Sequence, residues 1–189
     1  MRIISGDFKG SSLFLNKKEV TRPLKDLARE SIFNLLVHSN NISFQLEQSN
    51  ILDLYAGTGS FGLECLSRRA NAVYFVENEK SAVEILEKNI AKLKIKKKTK
   101  IIFDEVITFL EKKNFLEKKF DLIFCDPPFK DNNLNKLINL IFEKNLLNKK
   151  GIILFHRNKN SNDKFSEYLK VIEERTYGIS KIFFCKILY

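Results

Sequence analysis

The fold of this chain is decided by the stretch Ile51-Leu52-Asp53-Leu54-Tyr55-Ala56-Gly57-Thr58-Gly59-Ser60-Phe61-Gly62. A short apolar run that leads into glycines is typical of a buried strand followed by a tight turn, and the glycines fit the pattern GxGxxG. Such glycines let the chain turn sharply and let a ligand lie against the backbone. Glu77 follows Gly57 by twenty positions, where a carboxylate binds ribose hydroxyls in this kind of fold. The stretch therefore predicts a binding site for a nucleoside-containing cofactor.

Apolar runs and helical repeats alternate along the chain from residue 50 onward. This alternation predicts βαβ units and an α/β fold with a mostly parallel sheet. Residues 166–189 are expected to add a helix and one or two strands, of which 182–188 closes the sheet. The other strands are expected at 51–55, 72–76, 100–103, 120–125 and 152–155. Helices are expected from the glycine motif to about residue 68, and at 79–94, 106–113 and 134–142.

The first forty residues are predicted to form a separate N-terminal extension. Arg2–Ser5 and Ser12–Leu15 are expected to pair as a hairpin, because glycines lie between them. A helix capped by Thr21 follows, with apolar side chains at helical spacing to about His38. Residues 39–49 are polar and are interpreted as a connection to the α/β domain, which is expected at 50–189.

A second motif, Asp126-Pro127-Pro128-Phe129, lies where the fourth strand is expected to end. The carboxyl ends of strands in such a sheet face the ligand crevice. Two prolines fix φ and cannot donate hydrogen bonds, so the loop is rigid and its carbonyl groups stay free. We therefore expect an acceptor side chain, free carbonyls and an aromatic ring to converge beside the cofactor.

This set of groups suits methyl transfer to an exocyclic amino group of a nucleobase. The lone pair of such a group is delocalised into the ring, which makes the nitrogen a poor nucleophile. Asp126 and the Pro127 carbonyl can accept its N–H bonds and hold the nitrogen in line with a sulfonium methyl group, while Phe129 stacks on the base. The predicted catalytic residues are Asp126, Pro127, Pro128 and Phe129, and the sulfonium needs no metal.

The glycine turn and Glu77 alone would also suit NAD. Asp53 lies at a position where a dinucleotide fold usually has an apolar strand residue, and no His or Lys is clearly placed as the acid or base of a dehydrogenase. Both points favour S-adenosylmethionine over NAD as the cofactor.

The composition predicts a nucleic-acid partner. The formal net charge is +10 and the sequence pI is near 9.4, and a basic excess attracts polyanions. A sequence rich in Lys, Asn, Ile and Phe also arises from AT-rich coding DNA, so charge alone leaves both explanations open. Three widely spaced cysteines without a CxxC pair predict a reducing, cytoplasmic compartment. We expect a monomer without a metal, since Cys/His ligands are too few, and without a membrane span.

The N-terminal segment makes a family resemblance specific. Together with the two motifs above, it resembles the RsmD family of 16S ribosomal RNA guanine-N2 methyltransferases over nearly the whole chain. The resemblance implies the Rossmann-like fold of class I methyltransferases, with a mostly parallel seven-stranded sheet and helices on both faces. It assigns Asp53, Gly57, Gly59 and Glu77 to S-adenosylmethionine and Asp104 to the adenine amino group. The segment's matching residues are Arg2-Ile3-Ile4-Ser5-Gly6, Thr21-Arg22-Pro23, Arg29-Glu30 and Phe33-Asn34.

By the same resemblance, the substrate is N2 of one guanine in 16S rRNA, within a small-subunit assembly particle. The N-terminal extension would contact this RNA through side chains that can pair with phosphates. An ion pair with Asp26 or Glu30 in the same helix is an equally good role for Arg29. The predicted RNA-binding residues are Arg2, Lys9, Arg22, Lys25 and Arg29.

The sequence departs from the family pattern at four positions. Ser11 stands where a basic residue is frequent, Leu27 where Arg is usual, Arg69 where Gly is usual, and His156 where an acidic residue is common after the fifth strand. The loss of two N-terminal cations leaves the details of RNA binding open. Two other functions stay open as well, namely amino methylation of DNA adenine or cytosine, and RNA binding without catalysis by a module that keeps its cofactor pocket.

Overall fold

The structure is a computed structural model that describes residues 1–15, 26–42, 44–112, 118–128, 133–161, 163 and 165–188. Within these ranges the helices are α1 (Asp26–His38), α2 (Ser60–Ser67), α3 (Lys80–Leu93), α4 (Val106–Glu111) and α5 (Leu134–Glu143), with a 3₁₀ turn at Lys96–Lys98. The strands are β1 (Asn50–Leu54), β2 (Ala72–Glu77), β3 (Thr99–Phe103), β4 (Phe120–Cys125), β5 (Leu147–Asn158), β6 (Leu169–Tyr177) and β7 (Ser180–Ile187).

The seven described strands form one sheet in the order β3-β2-β1-β4-β5-β7-β6. Strands β1 to β5 are parallel, and β7 is antiparallel to both β5 and β6. The α/β prediction with a mostly parallel, seven-stranded sheet is confirmed. From β1 the chain first builds the sheet outward through β2 and β3, and then returns to place β4 on the other side of β1. This reversal opens a crevice at the carboxyl ends of β1 and β4, where ligands bind in such sheets.

Side chains of the central strands are buried on both faces of the sheet. Because successive side chains alternate across a strand, Ile51 and Phe124 pack with α1, α2 and α3, whereas Leu52 and Ile123 pack with α4 and α5. This double burial explains the nearly continuous apolar runs in the sequence of β1, β4 and β5. None of the described helices is both long enough and apolar enough to cross a membrane.

The last part of the chain differs from its prediction. The expected helix after residue 166 is wrong within the described residues 165–188, which form β6, a turn at Gly178 and β7 instead. The two strands pair from Leu169 with Ile187 to Tyr177 with Ser180, and this long antiparallel pairing outweighs the weak local preference of a charged segment. Strand β5 is also longer than predicted at both ends. It begins at Leu147, which pairs with Phe120, and its last three residues pair with β7 beyond the end of β4.

Residues 1–15, which are called the N-terminal extension from here on, pair less than a regular hairpin would. Among residues 1–15 the antiparallel contact is a single bridge between Arg2 and Ser12, supported by the backbone bond from Ile3 N to Ser11 O at 2.9 Å. The predicted helix ends at His38 as expected, and its described part begins at Asp26. The predicted cap, Thr21, lies outside the described residues.

The extension is attached to α2 through a buried carboxylate and a hydroxyl group. Glu64 is fully buried and accepts hydrogen bonds from Ile4 N at 2.8 Å, Ser5 N at 3.0 Å and Arg68 Nε at 2.9 Å. Ser67 Oγ accepts a further bond from Phe8 N at 3.0 Å. Since α2 begins at the glycine turn, the extension is fixed to the same helix that forms the predicted cofactor site.

Candidate functional site at the carboxyl ends of the strands

Four acidic residues that the sequence singles out lie at the same edge of the sheet. Asp53 is in β1, Glu77 ends β2, Asp104 follows β3 and Asp126 follows β4. Parallel strands direct their carboxyl ends to one edge, so positions far apart in the sequence become neighbours. The backbone bond from Asp104 N to Glu77 O at 3.2 Å joins two of them directly.

The glycine turn adopts the backbone conformation that its sequence predicts. Gly57 and Gly59 have φ of 55° and 84°, in the left-handed region that favours glycine. A Cβ atom at position 59 would lie 2.3 Å from Leu86 Cδ1, whereas at position 57 it would meet nothing within 4 Å. Gly59 is therefore required by packing against α3, and Gly57 leaves open space above the turn, where a ligand can approach the backbone.

Two carboxylate side chains stabilise this turn by accepting hydrogen bonds from its backbone N–H groups. Asp53 Oδ2 accepts a hydrogen bond from Gly62 N at 3.0 Å, and Glu77 Oε2 accepts one from Gly57 N at 2.7 Å. The other oxygen of Glu77 accepts from Asn78 N and Glu79 N, both at 2.8 Å. Each carboxylate oxygen has about two lone-pair sites, so Glu77 Oε2 keeps capacity for a hydroxyl donor of a ligand.

Negative charge is concentrated at this edge. Burial raises the pKa of the Asp53 carboxyl well above its ordinary value, and the hydrogen bond from Gly62 acts in the opposite direction. The charges of Asp126 and Glu77 raise the pKa of Asp53 further. Because an opposite charge nearby favours the ionised form of a carboxyl group, a cationic ligand would relieve this repulsion.

Asp104 is engaged in interactions of its own. Its side chain forms an ion pair with Lys112 of the segment after α4, and its Oδ1 accepts a hydrogen bond from Glu105 N at 3.0 Å. The side chain remains partly exposed beside Glu77. An adenine amino group that binds Asp104 would therefore either share this carboxylate with the exposed Lys112 or displace the lysine from it.

The second motif lies at the end of β4 beside the turn. Asp126 N donates to Leu54 O at 3.4 Å, which ties the start of the motif to the end of β1. Asp126 Oδ1 lies 2.7 Å from His156 Nδ1 of β5. Pro127 is buried and Pro128 is exposed, while Phe129 lies outside the described residues.

The predicted RNA-binding residues do not share one environment. Arg2 and Lys9 are exposed on the extension, whereas Arg22 and Lys25 lie outside the described residues. The prediction of phosphate contact is wrong for Arg29 in this structure, because the side chain is fully buried. Its guanidinium donates to the carbonyl oxygen of Arg2 and to the sulfur of Met1, so it holds the extension on α1.

Three side chains important to this region have no role assigned from the sequence. Glu64 anchors the extension, His156 contacts Asp126, and Asn89 of α3 bridges the extension and the glycine turn. Asn89 Oδ1 accepts from Phe14 N at 2.8 Å, and its Nδ2 donates to Phe14 O at 3.2 Å and to Thr58 O at 3.1 Å. The position of His156 directly after the predicted fifth strand is the one sequence signal that could have placed it beside Asp126.

A cavity of about 570 Å³ lies at the opposite edge of the sheet, near the amino ends of β1 and β4. Its lining includes Ser49, Asp121 and Lys150, and none of the residues in the two sequence motifs. Asp121 is already occupied by hydrogen bonds from Asn50 N at 2.8 Å and Asn148 Nδ2 at 2.6 Å. The chemistry of the two motifs therefore assigns the candidate site to the carboxyl edge.

Comparison with known proteins agrees with the geometry of this edge. A family model described as Conserved hypothetical protein 95 matches residues 1–186. Ribosomal RNA small subunit methyltransferase D of Haemophilus influenzae is 33% identical over 180 residues, which cover 95% of this chain and 90% of that protein.

Two solved structures are similar along their whole length. An Escherichia coli protein provisionally assigned as a methyltransferase has a TM-score of 0.84 and 26% identity, and the match covers 99% of this chain and 97% of that chain. A Haemophilus influenzae protein provisionally assigned as a methylase has a TM-score of 0.79 and 31% identity, with 100% and 98% covered.

Proposed function

The chain belongs to the RsmD family of methyltransferases, and from this membership we propose that it methylates the exocyclic N2 amino group of one guanine in 16S ribosomal RNA, with S-adenosylmethionine as the donor. The observation that carries the proposal is the position of Asp126, which extends from the end of β4 beside the glycine turn and the carboxylates Asp53 and Glu77. A carboxylate acceptor beside a cofactor turn is what amino methylation requires.

The residues of the carboxyl edge fit the proposed cofactor. Glu77 presents an acceptor oxygen next to the turn, as a ribose diol needs, and Gly57 leaves space above its backbone. The charges of Glu77 and Asp126 attract a cation, and a bound cation would also favour the ionised form of Asp53, whose pKa is raised by burial. When bound, S-adenosylmethionine supplies an electrophilic methyl group on a positively charged sulfur. An uncharged or anionic cofactor would gain nothing from this charge arrangement.

Catalysis then depends on how Asp126 and Pro127 receive the base. The carboxylate of Asp126 and the carbonyl of Pro127 accept the two N–H bonds of the amino group and orient its lone pair toward the methyl carbon. The nitrogen lone pair held in this way would form the new N–C bond, and the electron pair of the broken C–S bond would remain on the sulfur of the cofactor. Asp126 also stabilises the positive charge that develops on the nitrogen and accepts the proton that the nitrogen then loses. Phe129 is assigned to stacking on the base by the motif alone.

The proposed RNA substrate is supported by the relatives and by the charge of the chain. The Haemophilus influenzae relative is named for the small-subunit ribosomal RNA, and the net charge of +10 suits a polyanion. Exposed Arg2 and Lys9 are the described candidates for phosphate contact. The target guanine has to leave its base stack to reach Asp126, at a cost of a few kcal/mol.

The proposed compartment is the cytoplasm, where ribosomal subunits assemble. All three cysteines are free and buried, as suits a reducing compartment. Burial raises the pKa of the thiols of Cys65, Cys125 and Cys185, so these groups stay in the less reactive thiol form.

The proposal is tested with radiolabelled S-adenosylmethionine and three substrates, namely unmethylated 16S rRNA, unmethylated small-subunit particles and duplex DNA. We expect label on guanine N2 in the ribosomal substrates, identified by mass spectrometry of nucleosides. Asp126→Ala should lower kcat by about 10²- to 10³-fold, because the acceptor that orients the nitrogen is lost, while calorimetry still detects cofactor binding.

The surface substitution Glu111→Gln in α4 serves as the control and should leave activity unchanged, because Glu111 pairs only with exposed Lys136 at the described surface. Label in DNA but not in rRNA would replace the proposal with DNA methylation. Cofactor binding without transfer to any substrate would favour the non-catalytic RNA-binding module, and an Asp126→Ala variant with full activity would remove Asp126 from the mechanism.

A further inference from the structure

Strand register brings His156 to the same rung and the same face as Asp126. Cys125 of β4 pairs with Phe155 of β5, and each chain continues by one residue, to Asp126 and to His156. Because side chains alternate along parallel strands, two residues that follow one pair point to the same side of the sheet. The backbone of His156 is held on its other side by pairing with Ile182 of β7, so its ring projects from a fixed position.

The contact between the two side chains is short, and their exposures are unequal. His156 Nδ1 lies 2.7 Å from Asp126 Oδ1, with 3% of the histidine side chain exposed and 30% of the aspartate side chain. An ionised carboxylate can only accept hydrogen bonds, so the proton of this bond belongs on Nδ1. The imidazole thus lies beneath the carboxylate and holds one oxygen, while the carboxylate remains open to a ligand.

We propose that His156 is a positioning residue for the methyl transfer, because its Nδ1–H group fixes Oδ1 of Asp126 and thereby directs Oδ2 toward the amino group of the target base. This inference rests on the proposed function, in which Asp126 accepts an N–H bond of the base. The terminal torsion of aspartate is broad and roughly two-fold, so an unsupported carboxylate would sample many orientations. The hydrogen bond selects one orientation before the substrate arrives, which lowers the entropy lost in the reactive complex.

The first test compares His156→Asn with His156→Leu. The two replacements have nearly the same size and branching, but only asparagine offers an N–H donor near the position of Nδ1. Methyl transfer is measured with saturating cofactor and varied rRNA. We expect His156→Leu to lower kcat by about 10- to 100-fold, since misplacement of a reacting group by about 1 Å costs about 10²-fold. KM for rRNA and the cofactor Kd should stay within about two-fold of wild type, and His156→Asn should recover most of the loss.

The outcomes of this comparison separate the two proposals. If the wild-type protein methylates rRNA and His156→Leu is equally active, the positioning role is overturned and the proposed function stands. Equal losses of kcat in the asparagine and leucine variants also overturn the positioning role, because the donor would then be irrelevant. A wild-type protein that methylates none of the substrates overturns the proposed function, and the positioning role falls with it.

A second measurement does not depend on whether a His156 variant folds. The chain has two histidines, so the ¹⁵N-labelled imidazole spectrum contains two sets of signals, and His38→Gln assigns them. We expect the His156 signals at neutral pH to show a protonated Nδ1, in contrast to the Nε2–H form that a solvated neutral imidazole prefers. In Asp126→Ala the His156 signals should shift, and those of His38 should not. A His156 ring with a bare Nδ1 overturns the proposal whatever the kinetics show.

Discussion

The glycine turn with its carboxylates (residues 53–77) and the N-terminal extension (residues 1–15) are held by hydrogen bonds of very different sequence range. In the turn, Gly62 bonds to Asp53 nine positions away and Gly57 to Glu77 twenty positions away. In the extension, Ile4 bonds to Glu64 sixty positions away and Phe14 to Asn89 seventy-five positions away. The bonds from the turn to its two carboxylates therefore lie within one βαβ unit, whereas the extension is bonded to helices that come much later in the chain.

Gly59 and Gly10 share one backbone conformation but differ in their surroundings. Gly59 in the turn and Gly10 in the extension both have φ of 84°. A Cβ atom at position 59 would collide with Leu86, and one at position 10 would meet nothing within 4 Å. Gly59 in the turn is thus constrained by packing as well as by φ, and so is Gly6 in the extension, where a Cβ atom would lie 1.9 Å from Ser67 O, whereas Gly10 is constrained by φ alone.

The largest expected effect is a loss of stability in Gly59→Ala, and its comparison with Gly10→Ala separates the cost of packing from the cost of φ. Gly59→Ala should destabilise the protein by about 2–4 kcal/mol, from the left-handed φ and from the displaced Leu86 side chain. Gly10→Ala carries the same φ without a collision and should cost only about 1–2 kcal/mol. Thermal unfolding measures both, and Gly59→Ala should also weaken cofactor binding. Equal losses of stability would mean that packing adds nothing at the turn.

The contrast in sequence range explains how much of the fold could be predicted. Ile51–Leu54 and the glycines after it predict a strand, a turn and a helix because each pattern lies within a few residues, and the α/β sheet is confirmed. The helix predicted for the tail is wrong, because β6 is fixed by its partner β7 and not by its own charged sequence. The predicted hairpin of Arg2–Ser5 with Ser12–Leu15 is reduced to a single bridge between Arg2 and Ser12.

In the candidate site too, the features that depend on a short sequence range could be predicted and those that depend on a long range could not. The spacing from Gly57 to Glu77 is enough to place both residues at one edge of the sheet, since consecutive parallel strands align their ends. The contact of Asp126 with His156 depends on the register of β4 against β5. The position of each residue directly after its predicted strand indicates the same edge of the sheet but does not specify this register. The burial of Arg29 could not be predicted for a similar reason, because its acceptors in the extension are the carbonyl oxygen of Arg2 and the sulfur of Met1, and neither is an acidic side chain that would indicate an ion pair.

A smaller effect is expected at the anchor of the extension. Glu64→Ala removes the acceptor of Ile4 N and Ser5 N, and each unsatisfied donor costs about 1–3 kcal/mol unless the extension detaches and reaches water. Detachment limits the loss, so we expect about 2 kcal/mol. Hydrogen exchange of the backbone amides should speed up in residues 1–15 and stay slow in β1 and β4.

The conservative replacement Ser67→Ala is the control for this prediction. It removes the acceptor of Phe8 N but leaves Glu64 in place, and should release only the middle of the extension. A uniform loss of protection across β1, β4 and residues 1–15 in Glu64→Ala would contradict the view that the extension can detach by itself.

The smallest effect is expected at Asn89, where the two regions meet, because this side chain bonds to Phe14 in the extension and to Thr58 in the turn. Asn89→Ala should cost about 1–2 kcal/mol and lower cofactor affinity a few-fold, since Thr58 O loses its buried donor. Lys92→Ala is the matched control: Lys92 lies one turn further along α3 and bonds to Ser12, so its loss should leave cofactor affinity unchanged.

The double variant tests whether the two regions are coupled through Asn89. In Glu64→Ala, where the extension is already loosened, Asn89→Ala should still weaken cofactor binding while adding little further hydrogen exchange at Phe14. Additive effects on Phe14 and no effect on the cofactor would show that the turn and the extension are independent.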